Sequence, residues 1–483
     1  QYSRAVHLAR QIDTSGDELT ALYSRLGGAS ELNSEYGRAL STYEEMERLA
    51  RQRDDRSMEL ASLVPRVAIH AEPTAVHDPE EARAIGARAL SMARELDDRR
   101  GEAEVLWGLS LANFFANRTA EAVDCGERSL ALVRELGRRE QTARTLTDLG
   151  GLIYLYSGRV PQAIEALQEA GDLWDELGDR SMLAGSLAGL SIAYMYAGEY
   201  DRVIALSERA LRISRSIKNL WEQSRSQLAV AEVRRQRGEY DRAIDAAEES
   251  IRLGESGAFI SSQTHTRARL ALVYADLGVL SWAYELIGAA LRVAEGHKYT
   301  VDLPFIWGIL ACLQIAAGRL AEAADTIEAA QEDPYRESWV VFHFPVLIAE
   351  VDLALADGDL DRAVAAADHL VDRVRHYGIR LHLPEALYLK GEALLGRSQE
   401  EQARDCFVEA RAEAGALGAR RILWRILDAL SRLEGDPSRA AGLREEARQV
   451  IRRIIAHIDQ VDLRASFLSL PDVRAALRPL ETE

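Results

Sequence analysis

The sequence predicts an all-α protein, an α-solenoid of about ten to eleven helix–turn–helix units. Three observations carry that prediction. One turn recurs almost verbatim, as Gly198-Glu199-Tyr200-Asp201-Arg202-Val203, Gly238-Glu239-Tyr240-Asp241-Arg242-Ala243 and Gly358-Asp359-Leu360-Asp361-Arg362-Ala363. Its first position returns every 40 residues at Gly158, Gly198, Gly238, Gly278, Gly318, Gly358 and Ser398, and less evenly at Ser34, His77, Asn117 and Gly435. Five residues after each turn sits a small side chain: Ala39, Ala82, Ala122, Ala163, Val203, Ala243, Ala283, Ala323, Ala363, Ala403 and Ala440.

Each feature has a physical reason. Gly198 supplies the positive φ at which helices commonly end. Asp201 places a carboxylate in the next helix's first turn, where amide N–H groups lack partners. The alanines allow the second helix to approach the first just past a short turn. Within a unit, Leu187, Leu190 and Tyr194 fall at three- and four-residue spacing, as do Ile204, Leu206, Ala210, Leu211 and Ile213 in its partner. Strict alternation of β-branched residues is absent, so no sheet is predicted.

The organisation follows in order. Residues 1–13 read as the second helix of a unit whose first helix is missing, which predicts further protein on the N-terminal side. Residues 14–434 form the repeat array. In it Pro73 belongs to a loop that lengthens one unit to 43 residues, Pro79 starts a helix, and Trp107, Phe114, Trp174, Trp221 and Trp282 read as packing. Pro304, Pro345 and Pro384 sit near the starts of three later first helices. Residues 435–483 read as a last unit plus capping helices, with a short helix from Pro471 to Leu477 and a polar Glu481-Thr482-Glu483 end.

Composition narrows the function. The 77 acids against 59 bases argue against direct nucleic-acid contact. The apolar stretch from Leu303 to Ala317 is too short to cross a membrane. Cys125, Cys312 and Cys406 have no short-spaced partner and read as small buried apolar residues of a reducing, cytoplasmic compartment. Lys218, Lys298 and Lys390 are the only lysines and none follows glycine, which excludes a Walker phosphate loop. His369 and His376 share a helix face, but no cysteine or carboxylate completes zinc geometry. The sequence therefore predicts no enzyme, no cofactor and no metal in this segment.

The pattern Leu190-Ser191, Tyr194, Gly198, Tyr200, Val203, Ala210-Leu211 resembles the tetratricopeptide repeat, and Leu270-Ala271, Tyr274, Gly278, Ala283 and Ala290-Leu291 match it as well. The unit is about 40 residues where the standard one is 34. The longer unit resembles the sensor arrays of bacterial signal-transduction ATPases with numerous domains, namely the maltose-regulon activator class and cyclase–ATPase–repeat fusions. It is also similar to peptide-sensing phosphatases and regulators of Gram-positive quorum systems. The resemblance implies a right-handed solenoid whose first helices line a concave groove. It also implies a sensor and interaction domain of a signalling ATPase or transcriptional regulator, with an effector domain on the N-terminal side. A peptide, a protein or a small inducer would be the ligand; a stand-alone scaffold for protein partners is the alternative. Groove-facing candidates are Asp148, Arg225, Glu232, Arg235 and His265. A second group, Trp307, His343, Asp352, Tyr388 and Glu392, lies in an aromatic-rich stretch that includes Tyr335 and reads either as pocket or as core.

Overall fold

The structure, a computed structural model, describes residues 15–72, 76–334, 336 and 338–478. The expected helix over residues 1–13, and Pro73, Tyr335 and Glu481-Thr482-Glu483, lie outside the described residues. The described chain is all-α, with twenty-four α-helices and no strand. It divides after Ile153 into two compact units.

The first unit holds α1 (Gly16–Leu32), α2 (Tyr36–Arg53), α3 (Arg56–Ala71), α4 (Pro79–Glu95), α5 (Arg99–Phe115), α6 (Thr119–Glu135) and α7 (Arg139–Asp148). Helix α7 continues as a π-helical stretch, Leu149–Tyr154. The second unit opens with α8 (Val160–Leu177), α9 (Arg180–Ala197), α10 (Tyr200–Ser216), α11 (Leu220–Gln236), α12 (Tyr240–Ser256), α13 (Ile260–Asp276) and α14 (Leu280–Gly296). It continues with α15 (Leu303–Ala316), α16 (Leu320–Gln331), α17 (Phe344–Asp357), α18 (Leu360–His376), α19 (Leu383–Gly396), α20 (Glu400–Leu417) and α21 (Arg420–Leu433). It ends with α22 (Pro437–Ile455), α23 (Val461–Ser469) and α24 (Pro471–Leu477). Through α21 the odd-numbered helices are the first of each repeat and the even-numbered ones the second.

The repeat turn has a defined conformation. Gly158, Gly198, Gly238, Gly278, Gly318 and Gly358 have φ between +68° and +83°, and Ser34, Asn117 and Ser398 are also left-handed. His77 and Gly435, at the two irregular spacings, are not. At Gly198 φ is +81°, and a Cβ there would stand 2.5 Å from Leu417 Cδ2, so glycine answers both a conformational and a steric demand. Every second helix begins two residues beyond the turn position. The alanines at the next turn, Ala163, Ala243, Ala283, Ala323, Ala363 and Ala403, are fully buried.

The turns between repeats are left-handed too, at Asp54, Asp97, Gly137, Gly178, Lys218, Ala258, Lys298, Gly378 and Gly418. The sequence conceals this second series because several of its members carry side chains. Pro304, Pro345 and Pro384 occupy the first turns of α15, α17 and α19, where a missing N–H leaves no bond unmade. Single 3-10 turns, Val340–Phe342 and Arg380–His382, precede the latter two helices.

Two packing expectations need correction. Trp282 is 44% exposed, its ring edge-on to Tyr274, because it lies on the outer side of a second helix. Cys125, Cys312 and Cys406 are half-buried rather than enclosed. No helix among the described residues is long and apolar enough to cross a membrane.

Candidate ligand-binding site

In the first unit the first helices α1, α3, α5 and α7, with Tyr43 of α2 and Ser129 and Val133 of α6, wall a cavity of about 530 Å³. That lies within the usual range for small-molecule and peptide sites. The local sequence explains why space remains. Helix α3 turns Leu63 and Val67 into the core and presents Leu60, Ala61, Val64, Pro65 and Ala68 to the cavity, so that most of that wall is made of small or short groups. Pro65 sits inside the helix and donates no bond to the Ala61 carbonyl, which leaves a backbone acceptor on the same wall.

Polar groups close the other sides. Arg100 Nε and Gln141 Nε2 both donate to Glu104 Oε1, at 3.0 and 2.9 Å. Trp107 is half-buried, lines the cavity and donates Nε1–H to Asp148 Oδ2 at 2.8 Å; the Arg144 guanidinium stands 5.9 Å from its ring centroid. The Tyr43 hydroxyl donates to Glu31. Burial pushes the Asp148 carboxyl up to about 6, with Glu72 adding to the rise while the Trp107 bond and Arg144 oppose it. Burial and then Glu31 likewise raise Glu72, against Arg144. Of the sequence candidates only Asp148 reaches this cavity, through its bond to the lining residue Trp107. Trp107, expected to be core, is part of the wall.

The second unit treats its candidates differently. Glu232, Arg235 and His265 come together with Arg269, all at most 6% exposed. Arg269 Nη1 donates to Glu232 Oε2 at 2.8 Å, and Arg235 Nε donates to Asp276 Oδ2 at 2.7 Å. Arg269 Nε donates to His265 Nε2 at 2.9 Å, and the His265 ring stacks on Phe305 at 4.1 Å. Gln236 donates to the same Glu232 at 2.8 Å. Arg421 adds its own pair with Glu385, at 2.8 and 3.0 Å, and reaches Gln236. Burial alone would raise Glu232, but Arg235 and Arg269 hold its carboxyl well below the ordinary range. The same competition, won by Arg421, leaves Glu385 at about 2. Burial and the Arg269 charge push His265 far down, so it is neutral. The charged groups satisfy one another, as buried charges must, while His265 Nδ1 makes no hydrogen bond and stands 3.8 Å from Asp302. Arg225, at the margin, pairs with Glu222 at 3.2 Å.

The later candidates are packed or paired rather than displayed. Trp307 lies against Ala311, Ile327, Val346 and Leu353. His343 is buried, its Nε2 3.2 Å from Asp333. Asp352 is half-buried, and burial with the Glu385 charge raises it to about 7. Tyr388 packs on Phe407, and Glu392 accepts from Arg432 at 2.9 Å. Among the described residues no three His, Cys, Asp or Glu side chains are grouped to hold a metal ion.

The tetratricopeptide repeat family model matches residues 74–135. The chain is a tetratricopeptide-like repeat array. Among solved structures, a Rap protein complexed with competence and sporulation factor is similar at a TM-score of 0.54 and 12% identity, over 74% of this chain and 98% of that one. A signal-transduction ATPase with numerous domains and a tetratricopeptide repeat sensor, from Pyrococcus horikoshii, gives 0.47 and 16%, over 71% of this chain and 52% of that one. At these identities the likeness is one of fold. Compared with curated proteins, the sequence has no match.

Proposed function

We propose that this array is the sensor and interaction arm of a bacterial signalling ATPase or transcriptional regulator. In this reading a peptide, a segment of a partner protein or a small inducer occupies the groove between α1, α3, α5 and α7. The observation that carries it is the cavity of about 530 Å³ spanning first helices of four successive repeats. The resemblance of the 40-residue unit to signalling arrays supports the regulatory setting. A ligand bridging four first helices biases how they stack, since repeats of this kind contact mainly their neighbours. The test is a fragment and peptide screen on the full chain read by Trp107 fluorescence and NMR. Hits should be lost in Ala61→Trp, which fills the cavity from its small-residue wall. Hits that bind this variant as tightly as the parent would place the ligand elsewhere.

A further inference from the structure

The groove has two electrostatically distinct ends. At one, Glu104 is matched by Arg100 and Gln141, and Asp98 is engaged as a helix cap on Gly101 N–H. At the other, Asp148 stands one helical turn beyond the lining residue Arg144, and Glu72 one turn beyond the lining residue Ala68. Glu31, bonded to the lining residue Tyr43, adds a third carboxylate. The Arg144 charge lowers both Glu72 and Asp148, but its guanidinium is half exposed, with Glu140 3.9 Å away. Between the two ends runs the apolar wall of Ala61, Val64, Pro65, Ala68 and Trp107.

We infer that the groove is built for a cationic amphipathic peptide, its lysine or arginine head beside Glu72 and Asp148 and its apolar side chain on the Ala61–Ala68 wall. This rests on the groove reading above. A bound ammonium or guanidinium relieves the mutual repulsion of the two carboxylates and needs Asp148 ionised. Affinity therefore falls as pH drops through about 6. The groups that face Asp148 are Trp107 from α5, Arg144 from its own helix and Glu72 at the end of α3. Glu72 is itself raised, by burial and then by Glu31.

The experiment uses the full chain and capped hexapeptide pools, each with one fixed leucine and a fixed lysine, glutamine or glutamate, titrated calorimetrically at pH 7.5 and pH 5. The lysine pool should bind at least ten-fold more tightly than the glutamate pool at pH 7.5. That margin should collapse at pH 5 and in Glu72→Gln and Asp148→Asn, whose amides keep the shape and, at Asp148, an acceptor for Trp107. All pools should weaken in Ala61→Trp. If the three pools bind alike and all weaken in Ala61→Trp, the groove reading stands and the cation inference falls. If Ala61→Trp weakens none, both fall.

Discussion

The inner faces of the two units are built on the same repeat and do opposite things. In the first, the first helices offer Ala61, Val64, Pro65 and Ala68, and a cavity remains. In the second, the equivalent helices carry Glu232, Arg235, His265, Arg269 and Phe305, and these side chains with Arg421 occupy the space themselves. A repeat backbone therefore does not decide whether its inner face is a receptacle or a solid. Side-chain length and the reach of partners distant in sequence decide it.

The largest loss is expected in the buried charge network of the second unit. Glu232→Ala should cost about 3–5 kcal/mol, because Arg269 stays buried without its carboxylate and Arg235 keeps only Asp276. Urea denaturation showing a loss under about 1 kcal/mol would mean that water, not Glu232, satisfies those arginines. The repeat framework, by contrast, should respond alike in both units. Ala122→Leu and Ala283→Leu, at fully buried turn contacts, should each cost about 1–3 kcal/mol, and unequal melting shifts would separate the two frameworks.

Charge gives a subtler contrast. Asp352 is raised to about 7 in the folded chain against an ordinary value near 4, so its contribution is fully present in acid and is lost as pH rises through 7. Asp352→Asn should therefore stabilise by about 1–2 kcal/mol at pH 8 and by almost nothing at pH 4. A gain that is the same at both values would show that Asp352 is solvated. The smallest effect belongs to the outer surface. Arg375 and Glu409 pair at 2.7 Å, but their side chains are 50% and 45% exposed. Arg375→Ala should change stability by no more than about 0.5 kcal/mol in a thermal melt.

The framework was legible because its determinants are local. A left-handed turn and an alanine five residues later are both visible as letters, and both recur at a fixed interval. The inner faces were only half legible. Periodicity placed Glu232, Arg235 and His265 on first helices, and the structure does bring them together. Nothing local indicates that Arg421 and Gln236 meet, since that contact joins helices far apart in sequence. The cavity left weaker marks. A proline within α3 and a run of small residues around it are signals of an unfilled wall, but Trp107 alone reads as core until its Nε1 is seen bonded to Asp148.

The π-helical stretch Leu149–Tyr154 accounts for a difference in helix length. From Arg139 to Gly158 the chain is one residue longer than from Arg180 to Gly198, Leu220 to Gly238 or Ile260 to Gly278. A π turn absorbs one extra residue without rotating the helix beyond it. The stretch thus holds this unit's extra residue within its own first helix, and the second helix still begins two residues beyond Gly158. Deleting Gly150 should return that helix to the length of its siblings and leave every later repeat in phase.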